Sequence, residues 1–107
     1  MKRFKAAWAG PARLDFLEIS EFIAEENPAT ARKVVKRLRD KISKLHMQPE
    51  RGRVVPELAK QGITKFRELI IPPWRVLYKT GDKIVFVVLV ADGRRNLEDI
   101  FFKRIMR

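Results

Sequence analysis

The sequence predicts an α+β fold in which an antiparallel helical hairpin packs on a small, mostly antiparallel sheet. Two observations predict this fold. Apolar residues recur at helical spacing along two adjoining segments of the first half, and three short strand patterns separated by Pro and Gly follow in the second half. The expected element order is β-α-α-β-β-β, and a short helix could close the chain. No linker or repeat interrupts residues 1–107, so we expect a single domain.

A short strand and a first helix open the chain. An alternation that ends at Gly10-Pro11 predicts the strand, and the residues on one of its faces are Phe4, Ala6 and Trp8. The next segment has the 3.6-residue spacing of an amphipathic helix, with an apolar stripe of Ala12, Phe16, Ile19 and Ile23. This helix should therefore pack one side on the core.

The second helix is predicted to start at Asn27-Pro28. Asn is a good N-cap, and Pro suits the first helical position because the N–H that it lacks would be unpaired there anyway. The apolar stripe of this helix consists of Ala31, Val34, Val35, Leu38, Ile42 and Leu45. The other face is basic, relieved only by Asp40, and it carries Arg32, Lys33, Lys36, Arg37, Arg39, Lys41 and Lys44. A short connection between the helices predicts an antiparallel hairpin.

Three strands are predicted in the second half, after a loop over residues 49–62, where Pro and Gly are frequent and periodicity is absent. The strand patterns cover residues 65–71, 74–79 and 84–90. The last is apolar without interruption, which is typical of a central strand covered on both faces. Asp92-Gly93 ends it, and the apolar residues that could support a terminal helix are Leu97, Ile100, Phe101 and Ile105.

The composition limits the possible chemistry. The chain has 24 Lys and Arg against 13 Asp and Glu, a net charge of +11, and so favours nucleic acid, an anionic membrane or an acidic protein as partner. It has no Cys and one His, which leaves little prospect of a metal site or a Ser-His-Asp triad, so we expect no metal and no cofactor. The longest apolar run is too short to span a bilayer, and we expect a cytoplasmic protein.

Several segments in order resemble the RelE/ParE toxin superfamily. The first two helices show its pattern in Ala12-x-x-Asp15-Phe16-x-x-Ile19 and in Asn27-Pro28-x-x-Ala31. The middle strands resemble it in Phe66-Arg67-Glu68-Leu69 and in Pro73-Trp74-Arg75-Val76-Leu77-Tyr78-Lys79, and the end does so in Gly93-Arg94-Arg95-Asn96-Leu97. The resemblance covers nearly the whole chain at consistent spacing and implies a RelE/ParE-like fold.

Membership in this superfamily implies a toxin that a cognate antitoxin wraps and inactivates. We expect the antitoxin to offer an acidic, amphipathic segment, which gains from charge complementarity and from burial of its apolar side. The resemblance implies two alternative targets. The ParE-like branch binds DNA gyrase and traps it on cut DNA, whereas the RelE-like branch is a ribosome-dependent endoribonuclease that cleaves mRNA. A plain nucleic-acid-binding module, supported only by charge, is a third alternative.

The candidate site residues are mostly basic. The expected target-binding residues are Lys65, Arg67, Arg75, Lys79, Arg94 and Arg95. If the protein is a ribonuclease, the resemblance implies catalytic roles for Arg75, Arg67 and Glu57. Each has an alternative interpretation, since Arg67 and Arg75 could equally hold strand carboxylates or helix C-termini, and Glu57 could be a surface loop residue. Arg94 and Arg95 precede a helix N-terminus, an unfavourable place for cations with no evident compensation in the sequence.

Proton-transfer residues are scarce near the predicted site. The last strand ends in Ala91-Asp92-Gly93, where several ribonuclease members have His or Tyr. Asp92 should be ionised at neutral pH and is therefore a poor proton donor, while Tyr78, the only tyrosine, is expected to be packed. Phosphate-binding arginines are present and proton-transfer groups are mostly absent. The sequence therefore favours the gyrase-directed branch and a protein that acts by binding.

Overall fold

The computed structural model describes residues 5–105, so Phe4 of the predicted first strand lies outside the described residues. The elements are β1 (Lys5–Trp8), α1 (Gly10–Glu26), α2 (Pro28–Ser43), β2 (Arg53–Val54), α3 (Pro56–Ala59), β3 (Phe66–Ile71), β4 (Trp74–Gly81), β5 (Ile84–Asp92) and α4 (Leu97–Ile105). The predicted α+β class, the helical hairpin and the C-terminal helix are confirmed. Among residues 5–105, no helix has the length and apolar character needed to cross a bilayer.

The five strands form one sheet in the order β1-β5-β4-β3-β2. β1 runs parallel to β5, and the remaining neighbours are antiparallel, so the sheet is mostly antiparallel as predicted. β5 lies between β1 and β4, and its side chains are buried on both faces of the sheet. The uninterrupted apolar pattern of residues 84–90 is explained by this central position.

The helical hairpin covers one face of the sheet. Asn27 caps α2, since its Oδ1 accepts a hydrogen bond from the Thr30 N–H at 3.1 Å. Pro28 occupies the first turn of α2, as predicted. The buried residues between the hairpin and the sheet are Ala12, Leu38, Ile42, Leu45, Ile71, Val76, Tyr78, Val85, Val87 and Val90.

The opposite face of the sheet is covered by α3 and α4. Its core consists of Val55, Leu58, Phe66, Leu77, Leu89, Ala91, Leu97 and Phe101. Phe66 of β3 and Phe101 of α4 meet edge to face, with ring centroids 4.9 Å apart. The sheet is therefore the middle of three layers.

The prediction of an uninterrupted loop over residues 49–62 is wrong, because this segment contains β2 and α3. β2 has two residues and α3 has four, which is too short for either to show a period in the sequence. Pro56 lies in the first turn of α3, where its missing N–H costs nothing. The Pro that suggested a loop is thus a helix-starting residue.

An ion pair joins α4 to α1 across the sheet. Arg104 donates to both carboxylate oxygens of Asp15 at 2.7 and 2.8 Å and to the Val88 carbonyl at 3.1 Å. Asp15 also accepts the Val90 N–H at 3.0 Å. Val88 is the extra residue where the β4–β5 register shifts, and β1 ends opposite Val87. The two side chains thus satisfy backbone groups of β5 beyond the end of its β1 partner.

Candidate functional site

A cluster of two arginines and two glutamates lies on the sheet face that carries α3. Glu68 of β3 is paired in register with Arg53 of β2 on one side and with Leu77 of β4 on the other. Arg75 precedes Leu77 by two residues and therefore lies on the same face of β4. The α3 helix, packed over this face, brings Glu57 to Arg75. We name these four residues the Arg75 cluster.

Hydrogen bonds to carboxylates occupy most of the Arg75 guanidinium. Glu57 accepts from Nη1 and Nη2 at 2.6 and 2.8 Å. Glu68 accepts from Nε and Nη2 at 2.6 and 2.9 Å, and it also accepts from the Nε of Arg53 at 2.9 Å. The side chain of Arg75 is 12% exposed and that of Glu68 is completely buried. Arg75 is thus held bidentately by two carboxylates, the geometry in which this type of ion pair is strongest.

The electrostatics of the cluster keep Glu57 and Arg75 ionised. The hydrogen bond from Arg75 lowers the pKa of Glu57 to about 2, against the opposing effect of burial. The hydrogen bonds to Glu57 and Glu68 raise the pKa of Arg75 further above its already high ordinary value. Two positive and two negative charges cancel. A phosphate group could therefore bind Arg75 only by displacing a carboxylate.

Arg67 is not part of this cluster. It is paired in register with Tyr78, whose side chain lies in the core under the helical hairpin, so Arg67 lies on the opposite face of the sheet from Arg75. Its Nη1 donates to the Gly52 carbonyl at 2.8 Å and thereby holds the loop that leads into β2. The structure thus separates two arginines that the sequence placed together as candidate site residues.

Gly52 fixes the approach of β2 to β3. A Cβ atom at this residue would lie 2.5 Å from the Glu68 carbonyl oxygen and 2.6 Å from the Tyr78 hydroxyl. The Gly52 N–H donates to that hydroxyl at 2.8 Å. Tyr78 is completely buried, as expected from its strand position, and burial raises its pKa. It serves as a packing and hydrogen-bonding residue.

Arg94 and Arg95 are exposed at the end of β5. Asp92 accepts from Nε and Nη2 of Arg94 at 3.0 and 2.7 Å, while the Arg94 side chain remains 85% exposed. The hydrogen bonds from Arg94 lower the pKa of Asp92 to about 2, so this carboxyl has no proton to donate at neutral pH. Compensation for Arg94 at the α4 N-terminus, which is not evident in the sequence, is therefore supplied by Asp92. Asn96 caps the helix through the Asp99 N–H at 3.0 Å.

Lys65 and Lys79 lie beside a cleft on the α4 side of the sheet. The cleft has a volume of about 290 Å³ and is walled by apolar residues from the start of α1 and the residue before it, from β3, from β5 and from α4. The Nζ atoms of Lys65 and Lys79 lie over the rings of Phe66 and Phe86 at 5.5 and 5.9 Å from the ring centroids. Arg104, bound to Asp15, completes the cationic rim.

The structure therefore divides the predicted site residues among four places. Arg75 and Glu57 share one cluster, Arg67 lies on the other face, Lys65 and Lys79 border the cleft, and Arg94 with Arg95 follow β5. The interpretation of Glu57 as a surface loop residue is wrong, because it lies on α3 and pairs with Arg75. Among residues 5–105, no group of three or more His, Cys, Asp or Glu side chains is arranged to hold a metal ion.

Glu68 and Arg53 are the members of the cluster that sequence reasoning missed. Glu68 lies between Arg67 and Leu69 in a strand whose ends are apolar. Strand alternation places its side chain on the same face as the core residue Phe66, and it is buried there. A carboxylate in such a strand must be paired, since an isolated buried charge is very costly. That rule predicts a cationic partner for Glu68. It does not identify Arg75, because the partner depends on strand register.

Comparisons with known proteins agree with this fold. A family model described as the ParE toxin of the type II toxin-antitoxin system, parDE, matches residues 6–97. Toxin RelE2 of Caulobacter vibrioides is 27% identical over 92 residues, which cover 85% of this chain and 97% of that protein.

Two solved structures are similar in fold. The chromosomal ParDE toxin–antitoxin system from P. aeruginosa contains a chain with a TM-score of 0.71 and 15% identity, and the alignment covers 86% of this chain and 98% of that one. The RelBE2 toxin–antitoxin complex from Mycobacterium tuberculosis contains one with a TM-score of 0.57 and 18% identity, covering 86% and 93%. Because the family model spans most of the sequence, this chain belongs to the ParE toxin family of type II toxin–antitoxin systems.

Proposed function

We propose that the protein inhibits growth by binding DNA gyrase and that a cognate antitoxin neutralises it. The observation that carries this proposal is that carboxylates occupy most of the Arg75 guanidinium. Four hydrogen bonds from its guanidinium end on carboxylates, so the arginine best placed to stabilise a phosphate in a ribonuclease is already occupied. A toxin that acts by binding does not need this arginine to be free.

The scarcity of proton-transfer groups supports the same proposal. RNA cleavage needs a base for the 2′-hydroxyl and an acid for the leaving oxygen. The carboxyls of Glu57 and Asp92 have pKa values of about 2, and Tyr78 is buried. A group with a pKa near neutrality would be better suited to either task.

Arg94 and Arg95 are the residues that we propose for gyrase contact. Both are exposed in the short turn that connects the central strand β5 to α4. Arginine is over-represented among the residues that dominate protein interfaces. An exposed pair in the turn after β5 therefore fits target binding better than Arg75, which is held internally.

The antitoxin would fill the cleft that Lys65, Lys79 and Arg104 border. The two solved relatives are described as a ParDE system and a RelBE2 complex, so similar folds occur with antitoxins. The apolar walls suit the apolar side of an amphipathic segment, and the cationic rim suits its acidic side chains. The protein would meet both gyrase and the antitoxin in the cytoplasm. Residues 1–107 would act as a single domain.

The experiment is a supercoiling assay with purified protein, gyrase and relaxed plasmid. We expect loss of supercoiling, accumulation of cleaved DNA and restoration of activity when the antitoxin is added. Arg94→Ala with Arg95→Ala should lose most of the inhibition. The charge-matched control, Lys60→Ala just after α3 with Lys103→Ala on α4, should keep it. Unchanged supercoiling at stoichiometric toxin would refute the proposal.

A ribosome-dependent mRNA endoribonuclease is the second candidate, and the relative named Toxin RelE2 favours it. The two candidate functions predict different effects of a substitution at Arg75. If the protein cleaves ribosome-bound mRNA, Arg75→Lys should abolish cleavage in a folded protein. If it acts by binding gyrase, a folded Arg75→Lys variant should keep its toxicity, because Arg75 does not contact the target. Circular dichroism and the thermal midpoint establish that the variant is folded.

A further inference from the structure

The solvent face of α2 concentrates positive charge that neither the proposed gyrase contact nor the antitoxin cleft uses. Seven cations on α2 and the turn after it are exposed: Arg32, Lys33, Lys36, Arg37, Arg39, Lys41 and Lys44. Asp40 is the one carboxylate in the same stretch, and it is bonded by Lys36 at 3.4 Å. More than half of the net charge of +11 therefore lies on this helix and the turn after it.

Part of this charge forms a continuous row. Lys33, Arg37 and Lys41 are spaced by four residues, and Lys44 follows after three, so their side chains project from one side of the helix. Arg51 extends the row, because it lines one small cleft together with Lys41 and Lys44. We call these five residues the α2 ridge. From Lys33 to Lys44 it is about 17 Å long at the helical rise of about 1.5 Å per residue.

The ridge cations have no internal acidic partner. Among residues 5–105, none of the ion pairs involves Lys33, Arg37, Lys41, Lys44 or Arg51. The neighbouring helix α1 has a net charge of opposite sign. α1 carries one cation, Arg13, against five carboxylates, Asp15, Glu18, Glu21, Glu25 and Glu26. A polyanion would thus be attracted to the outer side of α2 and repelled from α1.

The chemistry of the ridge indicates which polyanion fits. Within Pro28–Ser43, no large apolar side chain is exposed; the exposed ones lie on other segments, including Leu14, Leu17 and Phe22 of α1. An amphipathic antitoxin helix needs an apolar surface, and the ridge does not offer one. A second copy of this chain is disfavoured because both would carry +11. A phosphate backbone needs cations alone.

We propose that the α2 ridge binds the phosphate backbone of double-stranded DNA. One strand of B-DNA has a phosphate about every 3.4 Å along the axis, so a row of about 17 Å spans about five phosphates. The contact carries no sequence preference, since it does not reach the bases. The ridge lies on the hairpin side of the sheet, opposite α3 and α4, and thus leaves the antitoxin cleft free. The choice of DNA over RNA rests on the proposed gyrase target, whose substrate is DNA.

The test measures binding of the full chain to a labelled DNA duplex of random sequence, without gyrase, over a range of salt concentrations. The ridge variant is Arg37→Gln with Lys41→Gln. The control variant, Lys60→Gln with Lys103→Gln, loses the same charge from the other side of the sheet. The ridge variant should bind roughly tenfold more weakly. Its slope of log K against log salt concentration should become less steep by about 2. The control variant should stay close to the unchanged protein.

Three results would overturn the proposal. Equal losses in both variants would mean that net charge alone attracts DNA. Unchanged DNA binding with impaired antitoxin binding in the ridge variant would make the ridge a protein-docking surface. Binding to duplex RNA as tight as to DNA would remove the assignment to DNA.

A charge-preserving variant, Arg37→Lys with Lys41→Arg, should retain binding. It distinguishes loss of charge from misfolding as the cause of weaker binding in the ridge variant. Supercoiling is measured separately, so failure of the gyrase proposal would not affect the DNA-binding result.

Discussion

Glu68 is the residue on which the Arg75 cluster depends. Its carboxylate is completely buried and accepts hydrogen bonds from two arginines, one on each neighbouring strand. Burial of a charge is tolerated only with such partners. Because Arg75 is 12% exposed, loss of the Glu68 charge would leave a nearly buried cation with Glu57 as its remaining acidic partner.

We therefore expect Glu68→Gln to lower the free energy of unfolding by about 3 kcal/mol, the range typical of a buried pair that loses one member. The exposed residue Glu21 on α1 supplies a matched control, and Glu21→Gln should change the stability by no more than about 0.5 kcal/mol. Urea unfolding of both variants measures this. Equal stabilities of the two variants would show that the cluster does not stabilise the fold.

Glu57 gives a pH dependence whose sign follows from its pKa. Its ordinary value of 4.5 falls to about 2 in the folded protein, chiefly through the hydrogen bond from Arg75. The carboxylate thus adds stability that is fully present above about pH 4.5 and is lost as the pH falls toward 2. In urea unfolding between pH 5 and pH 2, the unchanged protein should lose stability more steeply than Glu57→Gln. Parallel curves would contradict the assignment.

At the scale of elements, α4 is the helix whose position depends most on one distant contact. Asp15 and Arg104 are separated by 89 residues and are 16% and 27% exposed. Their pair joins α1, β5 and α4, and it supplies partners to the Val88 carbonyl and the Val90 N–H. Arg104 also lines the proposed antitoxin cleft.

Asp15→Ala should therefore release the end of α4 and leave the Val90 N–H without this partner. We expect a loss of about 2–4 kcal/mol in the free energy of unfolding, as for other charge-assisted contacts of limited exposure. The substitution should accelerate amide hydrogen exchange more in α4 than in α2. Glu21→Ala, on the same helix but exposed, is the control. Uniform acceleration over all helices would mean global destabilisation rather than release of α4.

At the scale of the whole molecule, the charge is distributed unevenly. α1 is acidic, α2 is basic, and Lys65, Lys79 and Arg104 surround an apolar cleft. The Arg75 cluster contributes no net charge. Among residues 5–105, the excess of positive charge therefore lies outside the cluster that most resembles a catalytic site, largely on exposed side chains.

This distribution predicts strong salt dependence for association with an acidic antitoxin. The association rate should fall by about tenfold or more between about 0.05 and 0.5 M salt, because electrostatic steering is screened. The dissociation rate should change much less, since burial of apolar surface in the cleft is not screened. Stopped-flow or surface binding kinetics with the purified antitoxin measure both rates. An association rate independent of salt would exclude steering by the basic surfaces.

The helices and long strands could be predicted because each shows its period over several turns or residue pairs. Asn27-Pro28 marks a helix start by chemistry that acts within three residues, and the cap is present. β2 and α3 could not be predicted, because two and four residues are too few for a period. Their positions are set by packing of Gly52 against β3 and of Leu58 in the core.

The sequence by itself determined the α+β class with its helical hairpin, the family resemblance and the excess of positive charge, since each depends on local pattern or composition. Only the tertiary structure decided the role of the arginines. Arg67 and Arg75 are similar in the sequence, yet strand alternation places them on opposite faces, and register gives Arg75 two carboxylates. Whether a guanidinium is free or occupied depends on groups distant in the chain, and no local pattern carries that information.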